Sequence, residues 1–438
     1  MSVPQRSAGQ RGEEIRAVLD TAFGELLATD PAAGGARLRR MAASPLAFYR
    51  GTACLFYHDL DAEKRGGPYL DDRTSRVWIH GDLHTESFGS GLDATGRLVF
   101  GATSFDEAYV GPFTWDLKRF AASLALLGYA KALGDERIGG LVEAYATAYR
   151  ERVHAMATGA KSDEVPPFTL DTAQGPLLDT LRVARTLTRS SLLDALTEVR
   201  DERRFTADAD SIELDAATRY KVLAAFDGYL ETLPDASLAR PESYRVKDVV
   251  GRRGLGPAGL PSYDILLEGD SDALEHDVVI SIRQAATPAV SRHITDPAIR
   301  GHFSHEGHRT VTARRALQTH PDPWLGWTEL DGAGRVVTEV SPYRVDLDWS
   351  DLDDPEEIAS VVADLGRATA ALHAAADDRS GDSPVPFSTE RAIDAAIAAD
   401  EAGFAGRLVD FAHAYAAQVR EDHQLFVDLV RGGRIPGL

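Results

Sequence analysis

Three short strand patterns, at 262–268, 277–283 and 336–340, sit in the middle of a chain of 438 residues whose two flanks are dominated by helical periodicity. That order, helix-rich, then β-rich, then helix-rich, reads as an α+β fold in which one small antiparallel region is set between helical segments. Residues 1–45 carry apolar positions Ile15, Val18, Leu19, Ala22, Phe23, Leu26 and Leu27 at helical spacing. A strand is expected at 76–80, a loop at 81–89, a turn at 93–96 and a returning strand at 97–100. Helical spacing resumes over 115–149, and again from a proline-marked loop (Pro166, Pro167, Pro176) to about Leu233. Composition shifts at 234–241, a helix over 306–318 separates the second and third strands, and acidic residues at 353–357 mark a further helix start. The expected domains are a helix-rich 1–240, a β-rich 241–350, and helices at 351–438 that complete the first.

The charge balance narrows the partners. With 68 acidic against 47 basic side chains the net charge is -21, which argues against nucleic acid, whose phosphates need a concentrated basic surface. The single cysteine, Cys54, excludes a disulfide framework and any cysteine-built metal site. No apolar run reaches the ~18–20 residues of a membrane span, and the N-terminus lacks the apolar core of a signal peptide. A cytoplasmic protein acting on a small molecule, with no membrane partner, is the expectation. Only 6 of the 47 basic residues are Lys, a GC-rich bias with which specialised metabolism agrees.

Polar residues gather in His80-Gly81-Asp82-Leu83-His84-Thr85-Glu86-Ser87-Phe88-Gly89 and in Thr103-Ser104-Phe105-Asp106-Glu107. If strands 76–80 and 97–100 are neighbours in one sheet, the two loops converge and bring Asp82, Glu86, Asp106 and Glu107 together. Grouped carboxylates repel, so they form either a solvated rim or a site neutralised by a hard cation such as Mg²⁺. His80 and His84 lack the spacing of a zinc site, and a structural bond from His80 to the loop backbone is the simpler reading. The glycines Gly254, Gly256 and Gly259 precede a hairpin rather than a helix, which excludes a dinucleotide fingerprint and fits a loop that covers phosphates, with Arg283 on a nearby strand as the cation. Ordinary loop glycines and a surface arginine are the plain alternative. Asp116, in the first turn of the 115–149 helix, either complements the helix dipole or orients the Asp82 loop. Arg50 is a candidate contact for an anionic substrate.

Taken together, 44–51 (Ser-Pro-Leu-Ala-Phe-Tyr-Arg-Gly), Gly81-Asp82-Leu83-His84 with Phe88-Gly89, Phe105-Asp106-Glu107, Gly111-Pro112-Phe113, Trp115-Asp116-Leu117-Lys118-Arg119, the glycine loop and Asp322-Pro323-Trp324-Leu325-Gly326-Trp327 resemble the bacterial family called domain of unknown function 2252, from about Arg40 onward. The family is related to protein kinases and aminoglycoside phosphotransferases. The resemblance implies a protein-kinase-like two-lobe fold, circularly permuted, since the loop at 80–89 precedes the glycine loop. The large lobe is then helix-rich and the smaller one antiparallel β. It implies Asp82, His84 and Asp106 as catalytic-type residues, and Asp106 with Glu107 and Glu86 as holders of Mg²⁺. The glycine loop and Arg283 would bind ATP, and Arg50 and Asp116 would face the substrate.

Departures from the family pattern bear on chemistry. Ser87 stands where an Asn is expected, Ser104 where a metal-binding Asp is expected, Arg283 in place of a strand Lys, and Thr312 in place of a helical Glu. An Arg keeps the charge and grips phosphate bidentately, but the loss of a metal-facing carboxylate is worth roughly 4 kcal/mol at ~4 Å and an effective dielectric near 20. Three functions therefore stand: a small-molecule phosphotransferase, a kinase-like fold turned to other acid/base chemistry, and a binding protein without catalysis.

Overall fold

The computed structural model describes residues 7–435 apart from 62–66, 160–166, 236, 240, 254–261, 272, 319–320 and 377–382. Helix α1 (Ala8–Thr29) starts from a capping box: the Ser7 hydroxyl accepts from the Gln10 amide, and the Gln10 side chain answers the Ser7 amide. The helical stretch expected over 1–45 divides at Asp30-Pro31. Asp30 caps α2 (Pro31–Ala42), where proline occupies a position that needs no N–H. Ser44 and Pro45 repeat the device at α3 (Pro45–Gly51), followed by α4 (Ala53–Leu60).

Next come β1 (Val77–Ile79), the hairpin β2 (Phe88–Leu92) and β3 (Leu98–Ala102), and β4 (Tyr109–Gly111). The helix expected over 115–149 is two, α5 (Phe113–Ala130) and α6 (Asp135–Thr158), parted where Ala132 takes a φ of 58° and Gly134 becomes the cap residue. β5 (Phe168–Thr169) pairs with β3, and α7 (Gly175–Thr186) and α8 (Arg189–Leu196) follow. The region up to Leu233, expected to be helical, also holds β6 (Thr197–Val199), β7 (Arg203–Phe205) and β8 (Ser211–Ile212) before α9 (Ala216–Leu230).

The central region forms β9 (Val246–Arg252), β10 (Ser262–Leu267), β11 (Val278–Gln284), α10 (Pro297–Arg300), α11 (Glu306–Leu317), β12 (Gly326–Leu330) and β13 (Ala333–Glu339). The chain closes with α12 (Pro355–Ala375), α13 (Thr389–Ala398) and α14 (Glu401–Arg431). Among the described residues no helix is long and apolar enough to cross a membrane.

These elements make a helix-rich body and a smaller sheet. The sheet has six strands in the order β12-β13-β11-β10-β9-β8, every pairing antiparallel. One face buries Ile265, Leu267, Val278, Ile280, Ile282 and Val337 with Val222, Phe226 and Tyr229 of α9, each side chain contributing roughly 1.5–3 kcal/mol of burial. β8 and α9, which precede the composition shift at 234–241, thus belong to the sheet's side of the molecule. α11 lies against β12 and β13. A Cβ on Gly307 would stand 2.4 Å from the Arg335 carbonyl oxygen, so helix and strand meet backbone to backbone.

In the helical body α12 and α13 pack on α6, and α14 packs on α5, α6 and α1. After β13 the chain returns to this body and pairs with β2. The Ser90 amide donates to the Val345 carbonyl (2.8 Å), the Val345 amide to Ser90 Oγ (3.0 Å), and the Leu347 amide to the Phe88 carbonyl (3.0 Å). Trp349 Nε1 then donates to the Thr85 carbonyl at 2.8 Å, which ties the linker to the Asp82 loop.

Candidate functional site

The two polar loops converge, by a route other than the one expected. β1 pairs with β4, not with the strand at 97–100, so the loop leaving β1 and the turn entering β4 lie side by side. Gly81 has a φ of 79°, and a Cβ there would stand 2.0 Å from the Glu107 carbonyl oxygen; only glycine fits this left-handed, crowded position.

Asp116, at the start of α5, fixes the loop from below. Its Oδ2 accepts the His80 amide (2.6 Å) and its Oδ1 the Gly81 amide (3.0 Å), and His373 Nε2 of α12 stands 3.2 Å from Oδ2. Tyr149 hydroxyl is 2.8 Å from His373 Nδ1, and the Tyr57 hydroxyl donates to the Gly81 carbonyl. Asp116 is fully buried, so it orients the loop and does not face a substrate. His80 takes the structural role expected of it: Nε2 lies 2.7 Å from the Thr103 carbonyl, and Nδ1 accepts the Asp82 amide at 3.3 Å.

Asp82 is held by a residue the sequence offered only as part of a motif. Arg119 Nε donates to Asp82 Oδ1 at 2.6 Å, and a second guanidinium nitrogen contacts the same oxygen. Arg119 is fully buried, with its guanidinium carbon 4.5 Å from the Tyr49 ring centroid and 5.1 Å from that of Phe56. Asp82 keeps 23 % of its side chain exposed. Its Oδ2 is 3.9 Å from His84 Nε2, beyond a hydrogen bond. Burial, with Arg50, Arg119 and His80 nearby, pushes the His84 imidazole well below its usual range. His84 is therefore neutral, and Nδ1, which accepts the Glu86 amide at 3.1 Å, leaves the proton on Nε2 facing Asp82.

Asp106 sits in a single turn, Phe105–Glu107, entered through Ser104 at a φ of 63°. Arg283 Nη1, from the third strand of the β9-β10-β11 meander, approaches its two oxygens at 3.1 and 3.2 Å. Burial opposes ionisation of Asp106, but Arg283, then Arg309 and Arg314, hold its carboxyl below the usual range. Glu107 responds in the opposite sense: burial and then the Asp82 carboxylate push it up to about 7, while its Oε2 accepts the Ala289 amide at 2.6 Å. Glu86 pairs with Arg50 at the surface. The serines are engaged as well. Ser104 Oγ accepts from Arg344 (2.9 Å), and Ser87 Oγ donates to the Asp82 carbonyl (2.9 Å) while accepting the His84 amide (3.1 Å). Gly254, Gly256 and Gly259 lie outside the described residues.

The structure thus brings Asp82, His84, Asp106, Glu107 and Arg283 to one seam between helical body and sheet. It places Glu86 and Arg50 on its rim and Asp116 beneath it. These carboxylates do not form a ready-made all-protein Mg²⁺ cage, so an ion here would rest on Asp106 with phosphate and water oxygens completing its shell. Asp106, Glu107 and Glu86 each answer to a different partner, and among the described residues no three His, Cys, Asp or Glu side chains group closely enough to hold a metal ion. Positive charge collects on this side of the seam: buried Arg314 feels Asp322, Arg344, Arg283 and Asp106, and Arg344 bonds Ser104.

Such a molecule is an α+β protein whose helix-rich body and small antiparallel sheet meet over an arginine- and aspartate-lined seam. A family model described as an uncharacterized protein conserved in bacteria, DUF2252, matches residues 29–429, and the chain belongs to that family. No curated protein and no solved structure matches it.

Proposed function

We propose that this chain is a small-molecule phosphotransferase-like enzyme with a circularly permuted, kinase-like two-lobe fold, in which arginines do the phosphate-holding work that carboxylate-bound metal does elsewhere. The observation that carries the reading is the reach of Arg283 from β11, the third strand of the β9-β10-β11 meander, to Asp106, beside the Asp82 loop. In kinases a glycine loop joins the first two strands, the phosphate-holding Lys lies on the third, and a helix follows. Here 254–261 joins β9 to β10, Arg283 is on β11, and α11 is the next long helix.

Each residue has a role in that reading. Arg119 fixes Oδ1 of Asp82, so Oδ2 is the oxygen left to take the proton from an acceptor hydroxyl as the acceptor oxygen attacks the terminal phosphorus of ATP, whose bond to the bridging oxygen breaks with its electron pair leaving on ADP. Arg283 holds phosphate oxygens and stabilises the charge that develops on them, exchanging its bond to Asp106 for one to the ligand. Arg344 and Arg314 supply further positive charge on the same side.

The test is transfer from ATP to a panel of hydroxylated and aminated acceptors. Asp82→Asn is expected to lower kcat by about 10²–10⁴-fold, the usual contribution of a positioned base, while ATP affinity stays within twofold. A second reading, ligand binding without transfer, is favoured by the bonded hydroxyls of Ser87 and Ser104 where the family pattern has metal-holding groups. ATP binding with no transfer to any acceptor would select it, and no ATP binding would sink both.

A further inference from the structure

A cavity of about 640 Å³ opens against the β11–α11 connection, whose residues form much of its wall, a volume in the range of small-molecule sites. Its lining includes Arg292, Arg300, Arg309, His305, Phe303 and Tyr109. Three arginines against one acid, Glu306, make this lining positive in a chain of net charge -21. The one acid is already neutralised, since Arg309 Nε bonds Glu306 Oε2 at 2.6 Å. Arg292 and Arg300 are exposed. Among the described residues Arg292 has no hydrogen-bond or ion-pair partner, and the bond found for Arg300 runs from its Nε to the Ile294 carbonyl, at 2.9 Å. Burial lowers His305, so it enters as a neutral ring whose Nδ1 accepts the His308 amide at 3.1 Å.

We propose that this cavity is a second anion site, taking a small phosphate monoester with a flat apolar portion. The guanidinium groups of Arg292 and Arg300 meet the phosphate, and Phe303 and Tyr109 meet the apolar part. The inference does not rest on the reaction proposed for the seam.

The cavity's walls also touch the seam. Arg309 donates to the carbonyls of Ala108 (2.6 Å), Asp106 (2.9 Å) and Ala286 (3.0 Å), and the Ala289 amide binds Glu107. These bonds tie the cavity wall at 286–289 and α11 to the turn that presents Asp106.

The probe is phenyl phosphate, titrated calorimetrically into the full chain. Wild type is expected to bind at millimolar concentration or tighter. The double variant Arg292→Ala, Arg300→Ala, which alters only exposed side chains, is expected to bind at least tenfold more weakly with an unchanged melting temperature. Arg283→Ala, which disables the seam, is expected to bind phenyl phosphate within twofold of wild type. No heat with wild type, or equal affinity in the double variant, overturns the proposal. So does a loss confined to Arg283→Ala, which would place the probe in the seam.

Discussion

At the scale of single residues, Glu107 links the site to pH. Its carboxyl titrates near 7 in the folded protein, because it is buried and faces Asp82, against 4.5 for an ordinary Glu. A raised folded pKa means that the stability this group contributes is fully present below about 4.5 and is lost as pH rises through 7. At ~1.4 kcal/mol per unit the full loss is of the order of 3–4 kcal/mol. Glu107→Gln keeps an oxygen for the Ala289 amide and does not ionise. Urea midpoints of wild type and variant are therefore expected to diverge between pH 4.5 and 7.5, with the variant the more stable at the upper end, and to run parallel above pH 8. Parallel curves throughout would contradict this environment for Glu107. The sequence made Asp82, Asp106 and Arg283 legible because each lies in a short pattern of its own. It left two readings for Asp116, and the structure selects the orienting one by burying it under two amides. Arg119 and His373 were not legible as partners. They lie 37 and 257 residues from the carboxylates they meet, and nothing local marks the pairing.

At the scale of elements, the alignment of the two loops depends on Gly81. Gly81→Ala forces a left-handed backbone on alanine and a Cβ into the Glu107 carbonyl, so the loop or the 105–107 turn must move. A cost of at least about 2 kcal/mol is expected, read as a lowered urea midpoint together with loss of whatever ligand binding the seam supports. Unchanged stability and binding would mean that the loops do not pack as described. The pairing behind this contact shows where sequence reasoning fails. Strands near in sequence usually neighbour one another, yet β1 passes over the β2–β3 hairpin to pair with β4, 30 residues further on by the register Ile79↔Tyr109. The helix breaks had visible signals, Asp30-Pro31 and Gly134, which continuous apolar spacing outweighed. In the region before Leu233 the strands are two or three residues long, too short for alternation to show.

At the scale of the molecule, sheet and helical body are joined by the linker that pairs with β2 and by the Arg283–Asp106 bond. The helix-rich, β-rich, helix-rich order was readable from periodicity. The seam was not, because it needs residues 177 positions apart to meet. The function proposed for it turns on cations, rather than metal-binding carboxylates, holding phosphate there. The most direct measurement is calorimetric titration of ATP into the protein, once in EDTA and once in Mg²⁺, with Arg283→Ala alongside. The account predicts binding in EDTA, less than threefold strengthening by Mg²⁺, and at least tenfold weakening in Arg283→Ala. Binding that appears only with Mg²⁺, or that is indifferent to Arg283, would contradict it.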